Sequence, residues 1–183
     1  MILREIYQIP EDLVQEALNY AVLSRQYTSN RHDFHPGGLD NKQKKMFEGK
    51  LGEKGVKMFF MDNNIVFEED GTSHTERDNF DFLIEFGNKE YTIDVKTRTE
   101  HFHTRTLEMV EQAHSNPKDI YISARLYRED NTVKLLGWFT KEDMFDANQI
   151  ENQGYLNNYV MYDEDLRPIS ELYDLYLSKC IDN

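Results

Sequence analysis

Asp81, Asp94 and Lys96 are the residues whose types and spacing most directly suggest chemistry. They lie within residues 80–97, Phe-Asp-Phe-Leu-Ile-Glu-Phe-Gly-Asn-Lys-Glu-Tyr-Thr-Ile-Asp-Val-Lys-Thr, where two alternating runs flank a Gly-Asn dipeptide. Phe80, Phe82, Ile84 and Phe86 share one face of the first run, and Asp81, Leu83 and Glu85 the other. In the second run Tyr91, Ile93 and Val95 alternate with Thr92, Asp94 and Lys96. This is the period-2 pattern of half-buried strands, and Gly87-Asn88 suits a two-residue hairpin turn. With those two residues at the turn, Phe86 faces Lys89 and Asp81 faces Asp94. Opposed like charges destabilise a sheet, so the pair needs positive charge nearby: a cation, or the Lys96 ammonium two residues along on the same face. That is the layout of a metal site. It depends on register, because a one-residue slip, as in a three-residue loop, would carry Asp94 to the other face.

The elements that must position these residues can be read from the rest of the chain. Ile9-Pro10-Glu11-Asp12 opens a helix expected over residues 10–27, with Leu13, Ala17, Leu18, Ala21 and Val22 at helical spacing. Residues 28–40, with Pro36-Gly37-Gly38, read as a loop in which His32, Asp33 and His35 are expected to be merely exposed. A second helix is expected over 40–62, with Phe47, Leu51, Met58 and Phe59 on one stripe. Gly52 and Gly55 weaken a helix by about 1 kcal/mol each relative to Ala, so their presence implies close packing against a sheet. Glu53 sits between them, and on helix pattern alone it would pair with Lys50 or Lys57.

A short strand over 64–68 and a polar loop over 69–79 precede the hairpin; Glu76 and Asp78 in that loop could replace Asp81 as ligands if the strand began earlier. Downstream, Leu107, Val110 and Ala113 suggest a helix over 104–114. Strands over 119–127 and 132–139 flank a turn, and a helix over 141–147 is capped by Thr140. A short strand is expected at 159–162 within an Asn- and Tyr-rich segment, and a last helix at 168–179. Trp138, Tyr173 and Tyr176 read as core before base-stacking groups, and His101 and His103 as an exposed connector.

The 183 residues, 39% hydrophobic with 11 Phe and 11 Tyr, suit one domain with a real core. No apolar run is long enough for a membrane span, the N-terminus lacks a signal-peptide core, and a single cysteine, Cys180, excludes an intramolecular disulfide or a cysteine zinc cluster. A cytoplasmic location is expected. The net charge of -13 argues against indiscriminate polyanion binding. Cationic residues do gather around the hairpin, however: Lys50, Lys54 and Lys57 before it, Arg98 and Arg105 after it, and all five could meet phosphates.

The order helix with Gly-Glu, strand, strand carrying Asp, strand carrying Asp-x-Lys, helix, strand resembles the PD-(D/E)XK nuclease superfamily, also called restriction-endonuclease-like. The matching residues are Glu53 in Leu51-Gly52-Glu53, Asp81 in Phe80-Asp81-Phe82, and Asp94-Val95-Lys96, and the likeness spans residues 40–140. Phe80 stands where the superfamily's name has proline. The resemblance implies an α/β fold, a mixed β-sheet core flanked by helices in the order α-β-β-β-α-β, with the first and last helices packed on it. It also implies a metal-dependent nuclease acting on DNA ahead of RNA, and as an endonuclease ahead of an exonuclease. Asp81, Asp94, Glu53 and the main-chain carbonyl of Val95 would bind Mg2+, with Mn2+ as a substitute, and Lys96 would orient the attacking water. A homodimer would allow both strands to be cut at one locus. The competing expectation is a nuclease-fold module that binds DNA or a protein without cutting, such as a regulatory or anti-defence factor.

Overall fold

In a computed structural model, residues 3–24, 39–70 and 79–181 are described. The loop containing His32, Asp33 and His35, and the positions Glu76 and Asp78, lie outside them. Helix α1 spans Glu11–Leu23, with Pro10 in extended conformation at its start and Glu11 and Asp12 in its first turn. It ends earlier than the expected residue 27, because Ser24 takes the C-cap and donates its N–H to the Tyr20 carbonyl. Helix α2 spans Leu39–Asp62. Asn64, at a left-handed φ of 53°, turns the chain out of α2, so the next strand starts later than periodicity suggests.

Among the described residues, one sheet has the order β1-β7-β6-β4-β3-β2: β1 (Ile6–Gln8), β2 (Phe67–Glu69), β3 (Phe82–Phe86), β4 (Lys89–Arg98), β6 (Ile120–Tyr127) and β7 (Thr132–Thr140). β4 and β6 are parallel, while the other neighbours are antiparallel. The chain therefore runs α2, β2, β3, β4, helix α3 (Val110–Ser115), β6, the α-β-β-β-α-β order expected, with one insertion. That insertion is β5 (Arg105–Met109), which leaves the main sheet and joins β9 (Leu156–Tyr162) and β8 (Ile150–Gln153) in a second sheet. The helix expected over 104–114 is thus a strand followed by a short helix. Helices α4 (Lys141–Ala147) and α5 (Ile169–Ile181) and a 3-10 turn at Asp163–Asp165 complete the described elements. The result is an α/β fold, a mixed sheet flanked by helices.

Two apolar clusters hold it. The larger joins Leu51, Val56, Phe59 and Phe60 of α2 to Phe82, Ile84 and Ile93 of the hairpin and to Ile169 and Leu172 of α5. The smaller, around Tyr121, Phe139 and Met161, seals the second sheet against the first. Trp138 and Tyr176 are core residues, and the Trp138 indole donates to the Pro168 carbonyl at 3.1 Å. Among the described residues no helix is long and apolar enough to cross a membrane.

The two glycines of α2 are in the close contact the sequence implies. A Cβ on Gly52 would overlap the Thr97 hydroxyl, and one on Gly55 would stand 2.5 Å from Val133 Cγ1. Gly55→Ala is therefore expected to destabilise by about 1–3 kcal/mol despite its better helix propensity. Thr140 forms a capping box with Asp143, accepting from the Asp143 N–H at 3.1 Å while the Asp143 carboxylate accepts from the Thr140 N–H at 2.9 Å. Thr140→Ala should cost about 1 kcal/mol. Urea unfolding of both variants measures these losses; a stabilised Gly55→Ala would contradict the packing described.

Candidate active site

The hairpin has the register that places two carboxylates together. Phe86 pairs with Lys89 and Phe82 with Ile93, and Gly87 and Asn88 take φ of 59° and 58°, as a two-residue type I′ turn requires. Asp81 stands one residue before β3, but its N–H donates to the Ile93 carbonyl at 2.9 Å, which extends the pairing to bring it beside Asp94. The Val95 N–H donates to Asp81 Oδ2 at 2.6 Å. Desolvation, then the charges of Glu53 and Asp94, raise the Asp81 pKa well above the usual carboxylate value; Lys50 and the Val95 N–H oppose this without cancelling it.

Glu53 reaches the site from α2. The Lys50 ammonium donates to Glu53 Oε2 at 2.8 Å and lies 4.4 Å from the centre of the Tyr20 ring. Burial pulls the Lys50 pKa down, but the Glu53 carboxylate, with Asp81 behind it, more than offsets this and holds it above its ordinary value. Lys50, Glu53 and Asp81 line one pocket of about 220 Å³ next to α1. The pairing that helix spacing gives Glu53 is thus present, and the same carboxylate also faces the hairpin.

Asp94 and Lys96 are joined by an ion pair, with Lys96 Nζ 2.8 Å from Asp94 Oδ2. That oxygen is buried, with the Lys96 ammonium against it. A residue that sequence reasoning missed completes the group: Glu108 of β5, only 3% exposed, places Oε2 2.5 Å from Lys96 Nζ. The ammonium also lies 5.9 Å from the centre of the Tyr121 ring. Burial lowers the Lys96 pKa, but the two carboxylates reverse the shift and hold it above the ordinary lysine value. Burial likewise raises Glu108, against the pull of Lys96. The signal for Glu108 lies in the strand period: Thr106 and Glu108 are buried while Arg105, Leu107 and Met109 are not. Because the inward residues are polar, the pattern resembles a helix.

The structure brings Asp81 into the field of both Glu53 and Asp94, and Lys96 into contact with Asp94. Val95 contributes its N–H to Asp81. Among the described residues, no three His, Cys, Asp or Glu side chains are grouped as a metal cage. The five cations considered for phosphate contact are each paired with an acid. Lys50 holds Glu53; Lys54 holds Glu16 at 2.8 Å; Lys57 holds Glu69; Arg98 holds Asp163; and Arg105 holds Glu151 at 3.0 Å. His101 and His103 are exposed in the connection between β4 and β5.

No protein-family model matches the chain, and no curated protein matches it in sequence. A solved structure of a bacterial homing endonuclease is similar over 75% of this chain and 96% of its own, at a TM-score of 0.46 and 9% identity.

Because folding raises the Asp81 pKa, the folded protein holds that proton more tightly than the unfolded chain does. The resulting stability is fully present below the ordinary Asp value of about 3.9 and is lost as pH rises through the raised folded value. Asp81→Asn cannot ionise and keeps an acceptor for the Val95 N–H. Melting in chelator should show it more stable than wild type near about pH 8, with the gain shrinking toward about pH 4. A pH-independent difference would show that Asp81 is not the strained charge.

Proposed function

We propose that the chain is a metal-dependent phosphodiesterase of the PD-(D/E)XK type, cutting nucleic acid and most simply DNA. The observation that carries this reading is the arrangement at the open end of the hairpin. Asp81 and Asp94 are opposed across its two strands, with Glu53 approaching from a helix that glycines bring close to the sheet, and Lys96 is ion-paired to Asp94.

The group suits a divalent cation on two counts. Its donors are hard carboxylate oxygens, and four acids, Glu53, Asp81, Asp94 and Glu108, face two lysines, Lys50 and Lys96. Asp81 and Asp94 would hold Mg2+ or Mn2+, with Glu53 and the Val95 carbonyl as further oxygen donors. When bound, the ion would acidify water and stabilise charge on the phosphate oxygens. The chain's own residues have separate tasks. The Val95 N–H aims Asp81 Oδ2, which fixes where its second oxygen points. Lys50 holds Glu53 through a 2.8 Å hydrogen bond in the cleft that Asp81 also lines. Lys96 brings a positive charge to the nucleophile and to the charge that develops on phosphate.

A second reading, a nuclease-fold module that binds DNA or a basic protein surface without cutting, is favoured by one observation. All five nearby cations considered for phosphate contact are neutralised by acids, in a chain of net charge -13.

Supercoiled plasmid, linear duplex and single-stranded DNA, each with Mg2+ or Mn2+ and with a chelator control, separate the two. The expected result is metal-dependent cleavage that falls by at least about 100-fold in Asp94→Ala and Lys96→Ala, with the fold retained by circular dichroism. Unchanged turnover in either variant would refute the site. A folded wild type that cuts neither DNA nor RNA would leave the binding module.

A further inference from the structure

Glu108 is a charged side chain buried where an apolar one would be expected. Its strand, β5, belongs to the second sheet, while Lys96 belongs to β4 in the first, so their ion pair bridges the two sheets. Burying a carboxylate is costly, and an apolar pair of similar volume would often be as stable or more so. What the charge does provide is a fixed place for a long, flexible ammonium. Lys96 Nζ has two partners at similar range, Asp94 on its own strand and Glu108 opposite, with the Tyr121 ring below. Asp94 is also the carboxylate the proposed reaction engages, so it cannot by itself keep Lys96 in place. Glu108 is only 3% exposed and lines neither the cleft that Lys96 lines nor the one that Asp81 lines, so its contact is with Lys96 and not with the open face of the site.

The strand around Glu108 is pinned for the same purpose. Thr106, the other inward residue of β5, shares a buried hydrogen bond of 2.7 Å with Ser123 of β6, and Glu108 lies opposite Tyr159 of β9. The other charged or titratable groups whose fields reach Glu108 are Asp94, Lys118 and Tyr121. Lys118 donates its ammonium to the Asn116 carbonyl at 2.8 Å, while Lys96 makes a direct ion pair with Glu108.

We infer that Glu108 is a positioning residue, which holds the Lys96 ammonium at the site from the second sheet while Asp94 engages its own ligand. The inference rests on the phosphodiesterase reading for its catalytic consequence, but the position of Lys96 can be tested without it. In wild type the Lys96 ammonium should give a solvent-protected signal in nitrogen-15 NMR, identified by its loss in Lys96→Arg. Glu108→Gln should abolish that protection, and Glu108→Asp should retain part of it. In cleavage assays Glu108→Gln should lower kcat by about 10- to 100-fold with KM within about twofold, and Glu108→Asp should recover part of the loss. A purely structural role would lower melting temperature without this split between kcat and KM.

If the wild-type Lys96 ammonium exchanges as fast as surface lysines, the inference falls, whether or not any variant folds. A folded Glu108→Gln that keeps the signal and full kcat overturns it equally. Should wild type cleave nothing while its ammonium is protected and Glu108→Gln releases it, the positioning stands and the phosphodiesterase reading fails.

Discussion

Two residues at left-handed φ, Gly87 and Asn88, set the register on which the site depends. A two-residue turn of this type admits one pairing of β3 with β4, and in that pairing Asp81 and Asp94 meet at the open end of the hairpin. At about 5 Å and an effective dielectric of about 20, two such charges repel by roughly 3 kcal/mol. The surrounding structure answers that repulsion. Val95 offers an N–H to one carboxylate, Lys96 an ammonium to the other, and Lys50 draws Glu53 into an ion pair beside them. The answer is incomplete, since the Asp81 pKa stays raised. A carboxylate perturbed in this way and lining a cleft is a candidate for a functional group.

The remaining elements hold the hairpin so that this repulsion persists. Gly52 and Gly55 let α2 settle against Thr97 and Val133, which brings Glu53 to Asp81. On the opposite face β5 supplies Glu108 to Lys96, so the site is held from two layers. Neither contact alone would fix all four polar groups, because a helix face can present Glu53 and Lys50 but cannot reach Lys96.

Much of this was legible in the sequence, for reasons that can be named. The hairpin register, and with it the opposition of Asp81 and Asp94, follows from strict alternation around a turn dipeptide. The glycine-mediated approach of α2 follows from two residues that weaken a helix unless something lies close by. Thr140 was readable as a cap from its position before an acidic first turn. What was not legible depends on tertiary contact. β5 resembled a helix because its inward residues are Thr106 and Glu108, so apolar periodicity followed Leu107, Val110 and Ala113 instead. The five cations looked available for phosphate because their partners, Glu16, Glu69, Asp163 and Glu151 among them, are distant in sequence or on other elements, and only Glu53 is a helix neighbour. Asn64 delayed β2 through a left-handed turn that apolar spacing does not encode.

The claim at the centre of this account is that the carboxylate group around Asp81 is short of positive charge by an amount a divalent cation would supply. Thermal unfolding of wild type, titrated with Mg2+ and with Mn2+ and compared with Asp94→Asn, measures this without reference to any substrate. The account predicts a saturable rise in wild-type stability, about 2.7 kcal/mol when the ion is present at 100 times its dissociation constant, and a much smaller rise in Asp94→Asn. Equal responses in the two proteins, or none in wild type, would contradict it.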